Sequence, residues 1–324
     1  MKRLQRQRGA ALLLAMLVVT LVATLASAAL WQQWRAAEVE SAERQRAQAG
    51  WILTGALDWA RLILREDARA NQNTGNADHL GEPWAMPLEE ARLSSFLAAD
   101  RQNNADDTLQ AFLSGEVLDQ QGRLNFMNLV KTSGSGAAVN ATVSEPDLQM
   151  FSRLYQQLNL PQAELQAAVN ALLSTTQQAE NELVPSRTAL VPARLSQLRW
   201  LGISPASLAV LAPHVSVLPE RTTLNLNTAS AQALAASVPG MDLAMAQRLV
   251  SARSLAPFNL LQDVVRLEPT LAPRLSEELH GTRSRFFEVR GRLRLDGAVV
   301  EERSLVVRNR LSVQVLWRER IAGL

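Results

Sequence analysis

The stretch Gly9-Ala10-Ala11-Leu12-Leu13-Leu14-Ala15-Met16-Leu17-Val18-Val19-Thr20-Leu21-Val22-Ala23-Thr24-Leu25-Ala26-Ser27-Ala28-Ala29-Leu30 decides the fold. It belongs to a run, residues 9–34, that carries no charged side chain. A helix needs roughly 20 apolar residues to cross a bilayer core, so residues 10–31 are long enough to span one. Lys2, Arg3, Arg6 and Arg8 lie just before the run. Positive charge beside a span stays on the cytoplasmic side, which places the bulk of the chain across the membrane.

Three readings of this N-terminus compete. One is a plain signal anchor. The second is a secretory signal peptide cut after the small-x-small site Ala26-Ser27-Ala28. The third is a short basic leader, residues 1–9, cut between Gly9 and Ala10 with the apolar helix retained. Length and continuation favour the third. The run exceeds the usual signal core of about 7–15 residues. It continues without Pro or Gly through a segment rich in Ala, Gln, Glu and Arg up to Gly50. Trp51, Leu53, Leu57, Trp59, Leu62 and Leu64 then recur at helical spacing. A helix over residues 10–70 would be about 90 Å long, its first third in lipid.

Of the 324 residues, 47% are hydrophobic and 20% charged, so most of the chain folds around a core. The absence of cysteine excludes disulfides, zinc–thiolate sites and thiol nucleophiles. A net charge of +2 is too small to argue for a nucleic-acid partner. Without residues 1–9 the chain holds 29 basic residues against 31 acidic ones, so the basic excess resides in the leader.

Beyond the helix, residues 71–110 read as polar and loop-like. Gly115–Leu129 reads as two short strands around a turn at Gln121-Gly122, and residues 131–140 as a flexible linker. Leu148, Phe151, Leu154, Tyr155 and Leu158 share a helical face, as do Leu165, Val169, Leu172 and Leu173. Residues 175–193 read as a loop. Shorter helices are expected near 194–201, 205–212, 230–237, 243–253 and 259–266. The period then changes to two: Phe287, Val289, Leu293 and Leu295 alternate with Glu288, Arg290, Arg292 and Arg294. Asp296-Gly297 is a hairpin signal, and Val299–Val307 and Leu311–Trp317 complete an antiparallel set joined near Asn309-Arg310. Ten arginines against five acids over residues 283–320 suit a solvated sheet face better than a basic binding face. The fold class is α+β: a long transmembrane helix carrying an antiparallel sheet, interrupted by a large inserted all-helical domain. The expected divisions are 1–9 leader, 10–70 helix, 71–128 first part of the sheet domain, 129–281 helical insert and 282–324 C-terminal strands.

Arg8-Gly9-Ala10-Ala11-Leu12-Leu13-Leu14 resembles the leader junction of type IV pilins and pseudopilins. Most members of that family carry Glu at the fifth mature position, where this chain has Leu14. A carboxylate inside the bilayer is costly unless paired, and its pilus partner would be the N-terminal amine of a neighbour. A subunit lacking it suits the tip. Leu14 is equally readable as one more lipid-facing leucine. Asp119…Gly122…Asn125…Asn128-Leu129 and Leu80…Glu82…Trp84-Ala85 are similar to motifs of the K-type minor pseudopilins of type II secretion. That resemblance implies a pilin-like sheet with a helical insert and cleavage by prepilin peptidase between Gly9 and Ala10. It implies N-methylation of Ala10 and a single-pass inner-membrane anchor with the C-terminal domain in the periplasm. The implied partners are I- and J-type minor pseudopilins, other pseudopilins and the inner-membrane secretion platform. The family also implies calcium held by an acidic loop. Calcium asks for six to eight oxygen ligands, and Ser174–Pro192 offers only Glu180 and Glu182, so no metal or other cofactor is expected.

The alternative reading is a membrane-anchored DNA receptor. Leu224-Asn225-Leu226-Asn227-Thr228-Ala229, Val238-Pro239-Gly240-Met241-Asp242, Ala246, Arg253 and Pro257-Phe258 resemble a helix-hairpin-helix module. Such a hairpin offers backbone N–H groups to a phosphate. Here Asp242 stands where the second glycine belongs and would repel it, and Arg248 is the one basic residue of 230–252. The K-type family carries the same Asn-x-Asn-Thr-Ala module, so no nucleic acid is expected. No catalytic constellation emerges either. His79, His214 and His280 are far apart and fit surface or capping roles, and Walker and nucleophile-elbow motifs are lacking.

Overall fold

A computed structural model describes residues 8–74, 77–93, 111–133, 140–180, 191–295 and 298–321. One helix, α1 (Arg8–Thr74), runs through 67 residues. That is about 100 Å at 1.5 Å per residue. It exceeds the expected 10–70 at both ends and passes through Ala26-Ser27-Ala28 without a break. Residues 10–44 of it are exposed, and its first buried side chain is Ala49.

From Ala49 onward the helix becomes one wall of a core. Leu53, Leu57, Ala60 and Leu64 are buried at intervals of four, three and four residues, which is a single helical face. That face packs on a five-stranded antiparallel sheet in the order β1-β2-β9-β10-β11. The strands are β1 (Leu88–Arg92), β2 (Ala111–Asp119), β9 (Phe286–Leu295), β10 (Ala298–Asn309) and β11 (Ser312–Ile321). Leu57 and Leu64 meet Trp84, Phe287, Val289, Val306 and Val313. Ala49 and Leu53 meet Ala111, Leu113, Leu293 and Leu295. The alternation over 287–295 thus points one set of side chains at the helix, as a half-covered sheet requires.

The opposite sheet face has two parts. Phe286, Leu305 and Val307 pack with Leu218 of the helical domain. Elsewhere cross-strand charge pairs cover it: Arg290 with Glu116 at 3.0 Å, Arg292 with Glu301 at 3.3 Å and Arg294 with Glu90 at 2.8 Å. The arginine-rich C-terminus is largely a set of such ladders.

The helical domain lies between β2 and β9 in sequence. Its helices are α2 (Glu145–Gln157), α3 (Gln162–Glu180), α4 (Pro205–Leu211), α5 (Ala231–Ser237), α6 (Leu243–Leu255) and α7 (Leu261–Leu267), with a 3-10 turn over Leu195–Leu201. One apolar core joins Leu124 and Phe126 to Leu271, centred on residues such as Phe151, Leu154, Leu172, Leu234 and Leu249. Because Leu124 and Phe126 already belong to it, this domain begins before the expected position 129.

Four expectations change. The segment 71–110 is not loop throughout: α1 continues to Thr74 and Leu88–Arg92 is an edge strand, while residues 94–110 lie outside the described set. The two strands expected around Gln121-Gly122 do not pair with each other. The chain turns through a 3-10 turn at Gln120–Gly122, and β3 (Leu124–Asn125) runs parallel to β6 (Val215–Ser216) in the helical domain. The expected linker at 131–140 is strand at both its ends, since β4 (Val130–Ser133) pairs with β5 (Asn140–Val143), while residues 134–139 lie outside the described set. The loop expected from residue 175 begins later, since α3 reaches Glu180. The Asp296-Gly297 turn and residues 1–7 of the leader lie outside the described residues.

Candidate functional site

Two features distinguish this molecule: a bare apolar rod, and a buried polar junction that fixes the helical domain to the rod-bearing sheet. The rod presents Leu12, Leu13, Leu14, Leu17, Val18, Leu21, Val22 and Leu25 outward, each roughly half or more exposed. Trp31 and Trp34 close the apolar run, with the Arg35 guanidinium 5.0 Å from the Trp31 ring. Aromatic rings with a neighbouring cation suit the polar boundary of a bilayer. The structure therefore has an N-terminal helix long and apolar enough to cross a membrane. Ala10 and Leu14 sit in its first exposed turns.

At the other end of the sheet stands Asp119, 8% exposed at the end of β2. Four donors converge on its carboxylate: Gln121 N at 2.7 Å, Asn225 Nδ2 at 3.1 Å, Thr228 Oγ1 at 2.6 Å and Ser284 Oγ at 2.6 Å. Burial pushes its pKa up, and the hydrogen bonds oppose that rise. The donors come from both domains, so one carboxylate joins the sheet to the helical insert. Gly122 lies beside it: a Cβ there would stand 2.8 Å from Thr228 Oγ1 and 3.0 Å from Thr228 O. Only a residue without a side chain lets the two backbones approach.

Asn125 and Asn128 hold the chain that leads into β7 (Leu224–Asn225). Asn125 Oδ1 accepts from Leu218 N at 3.1 Å and its Nδ2 donates to Glu220 O at 2.8 Å. Asn128 donates to Thr222 O at 2.8 Å and accepts from Thr222 N at 3.1 Å. The Asn-x-Asn module divides its work. Asn225 reaches Asp119, Ser284 Oγ and Asp78 O, while Asn227 exchanges two 2.9 Å bonds with the backbone of Phe258.

A second cluster, which spacing in the sequence does not reveal, gathers Asp67 of α1, Asp78 and Glu82. Their carboxylate oxygens lie within 4.8 Å of one another. Arg308 of β10 fills the centre, donating to Asp67 at 2.7 Å, to Asp78, and to Ser284 O at 2.9 Å. Glu82 turns away from it to accept from Trp84 Nε1 at 2.7 Å and from Asn71 Nδ2 at 3.0 Å. Trp84 packs edge-on against Phe287, with centroids 5.1 Å apart. Three carboxylates with one cation hold a surplus of negative charge. Burial, then Glu82, raises Asp67 to about 7 against the pull of Arg308; burial raises Asp78 to about 6.

In the segment that resembles a helix-hairpin-helix module, the place a phosphate would take is already filled by a carboxylate. Gly240 takes a φ of +73°, a left-handed turn that glycine adopts freely. Asp242 then caps α6, accepting from Met245 N at 2.7 Å, so the helix N-terminus already holds a carboxylate. Arg248 is paired with Glu268 at 2.9 Å and Arg253 donates to Leu226 O at 2.5 Å. The histidines do not meet. His79 accepts from Gly81 N, and His214 bonds Ser230. His280 is 1% exposed, not a surface residue, and burial pulls it down to about 4, which keeps it neutral. The side chain of Glu180 and the whole of Glu182 lie outside the described residues.

Known proteins align with this geometry. Family models described as type II secretion system (T2SS), protein K match residues 122–220 and 224–278. The type II secretion system protein K of Pseudomonas aeruginosa is 28% identical over 300 residues, covering 87% of this chain and 83% of that protein. The same protein of Pectobacterium carotovorum subsp. carotovorum is 24% identical over 335 residues, covering 97% and 96%. That of Klebsiella pneumoniae is 29% identical over 304 residues, covering 86% of each. A chain in the crystal structure of the GspK-GspI-GspJ complex from the enterotoxigenic Escherichia coli Type 2 Secretion System shares the fold at a TM-score of 0.60 and 17% identity. The overlap covers 87% of this chain and 99% of that one.

Proposed function

Since this chain belongs to the type II secretion system protein K family, and is a minor pseudopilin of that system, we propose that it caps the tip of the secretion pseudopilus. Prepilin peptidase removes residues 1–9, the new Ala10 amine is methylated, and α1 stays in the inner membrane with the head in the periplasm. Its partners there are I- and J-type minor pseudopilins and, through them, the other pseudopilins and the inner-membrane platform. The observation that carries this reading is the continuity of α1. One helix is exposed and apolar over its first turns and is the packed wall of the head over its last. Leu14 leaves no intramembrane carboxylate to engage a neighbour's amine, which suits a subunit with nothing above it. Trp51 and Trp59, exposed on α1 beyond the apolar run, offer flat surface to partner helices.

The part it plays is mechanical and not catalytic. The polar clusters around Asp119 and Arg308 have their donors and acceptors engaged with one another, as a structural junction does. Calcium at Glu180 and Glu182 is not part of the reading. Mass spectrometry of the processed chain tests the anchor: a methylated Ala10 start is expected, and a start at Ala29 in a soluble product would end the proposal. Co-purification with I- and J-type partners tests the assembly. The DNA-receptor reading rests on the hairpin alone. It predicts retention on DNA beads that is lost in Arg248→Ala, and we expect neither.

A further inference from the structure

Between the charged face of the sheet and the helical domain lies a cleft of about 350 Å³. Its floor is the sheet, with Glu288, Arg290, Arg303 and Trp317. Its other wall comes from the 3-10 turn and the segment after it (Gln120, Arg123) and from Arg194 and Ser216 of the helical domain. This volume is that of a small-molecule site, not of a packing defect.

Four residues that line the cleft carry donors that lack acceptors. Gln120 is 5% exposed and Ser216 3%, so both are more than nine-tenths buried. Gln120 Nε2, Ser216 Oγ, Trp317 Nε1 and Arg194 Nε are withdrawn from water and have no hydrogen-bond partner among the described residues. Groups of this kind are few in folded proteins, because a buried donor without an acceptor loses its hydrogen bonds to water and gains none in return. Four in the wall of one cleft are a pattern, and all four can donate to an oxygen.

Charge follows the same pattern. Arg290 is held by Glu288 at 2.6 Å and Glu116 at 3.0 Å, and Arg303 by Glu319 at 3.0 Å. Arg194 stands 3.7 Å from that same Glu319, beyond hydrogen-bond reach, with its guanidinium 5.3 Å from the Trp317 ring. Arg123 is half-buried and makes no ion pair or hydrogen bond among the described residues. Burial pulls its pKa below the ordinary arginine range. Glu288 acts on Arg123 through its charge but is bonded to Arg290, so Arg123 has no directly bonded counter-ion, which matches a single negative charge better than a doubly charged phosphate. A guanidinium and flat amide and indole N–H groups match the two-oxygen plane of a carboxylate.

We infer that this cleft binds a carboxylate, with Arg123 as its counter-ion and Gln120, Ser216, Trp317 and Arg194 as its hydrogen-bond donors. The same chemistry has two sources, a free small carboxylic acid or an acidic side chain of another protein. The site lies where sheet and helical domain meet, so its occupancy tightens the head.

The test uses the full chain in detergent. Succinate, a tripeptide Ala-Glu-Ala with blocked ends, and inorganic phosphate are titrated by calorimetry, and the unfolding midpoint of the head is followed in parallel. Saturable binding of succinate identifies a free acid; binding of the blocked tripeptide alone identifies a protein side chain. In either case Arg123→Gln weakens binding about tenfold or more, the worth of one charge-assisted hydrogen bond. The unliganded midpoint of that variant stays equal or rises, because an unpaired buried charge has been removed. Arg194→Gln provides a second variant with a smaller loss. Binding of phosphate with no binding of either carboxylate, equal affinity in Arg123→Gln, or no saturation by any probe would each overturn the inference.

Discussion

Asp119 shows how much can depend on one side chain. Removing it leaves Gln121 N, Asn225 Nδ2, Thr228 Oγ1 and Ser284 Oγ buried without their acceptor. Asp119→Ala should therefore cost about 3 kcal/mol or more in urea unfolding of the head. Gly122→Ala should cost roughly 1–3 kcal/mol, because a Cβ there meets backbone as well as side chain of Thr228. Thr228→Ala should not rescue it, since the carbonyl at 3.0 Å remains. The Arg308 cluster predicts an unusual pH profile. Asp67 and Asp78 titrate at about 7 and about 6 in the folded chain, against 3.8 as ordinary carboxyls. The folded state thus holds protons that the unfolded state releases, and stability rises as pH falls from about 7 toward about 4. Urea midpoints measured across that range should climb on acidification, and Asp67→Asn should flatten the upper part of the climb. A midpoint that falls steadily over the same interval would contradict the cluster's surplus charge. The residues of the first cluster were legible in part: Asp119, Gly122, Asn125 and Asn128 stand out together in sequence. Ser284 was not, because a lone serine 165 residues away gives no spacing signal. Arg308 was hidden among ten arginines whose neighbours pair on the sheet surface.

Elements were readable where one physical signal dominated. The apolar run followed by Leu53, Leu57 and Leu64 reads as one helix with two different surroundings, and α1 is a single helix, exposed over the run and buried on one face beyond it. The strands near the C-terminus announced themselves by period two. Weak elements failed for a common reason: they bury little. Strand β1 carries two glutamates on a largely exposed edge, and β4 and β5 are short polar strands flanking a Gly-Ser segment. Their pairing is dictated by neighbours far away in sequence, which local pattern cannot encode. Two substitutions in α1 separate its two roles. Leu64 is fully buried against the sheet, so Leu64→Ala should lower head stability by roughly 2–5 kcal/mol. Ala37 is exposed between the apolar run and the head. Ala37→Pro should break the helix there, at about 3 kcal/mol locally, and leave the head's unfolding midpoint unchanged. Secretion of substrate protein should nevertheless fall, if rigidity of the rod is what the pseudopilus uses.

At the scale of the whole molecule, the sheet domain and the helical domain are welded, not tethered. The α+β class and the helical interruption were readable from the order of periods along the chain. The weld was not, since it is made of buried Asn, Asp, Ser and Thr that in sequence look like loop polarity. Simultaneous capture of I- and J-type partners by the full chain, lost when residues 10–34 are replaced by polar sequence, is the expected behaviour of the assembly. The exposed stretch of α1 between Trp34 and Ala49 sets one more property. Because that stretch is an unbroken helix, it works like a screw thread between the apolar run and the head. Each residue inserted there lifts the head by about 1.5 Å and swings it by about 100°. Elevation and heading are geared together. A variant lengthened by two whole turns would face its neighbours as before from a higher perch, whereas one lengthened by half a turn would look the wrong way.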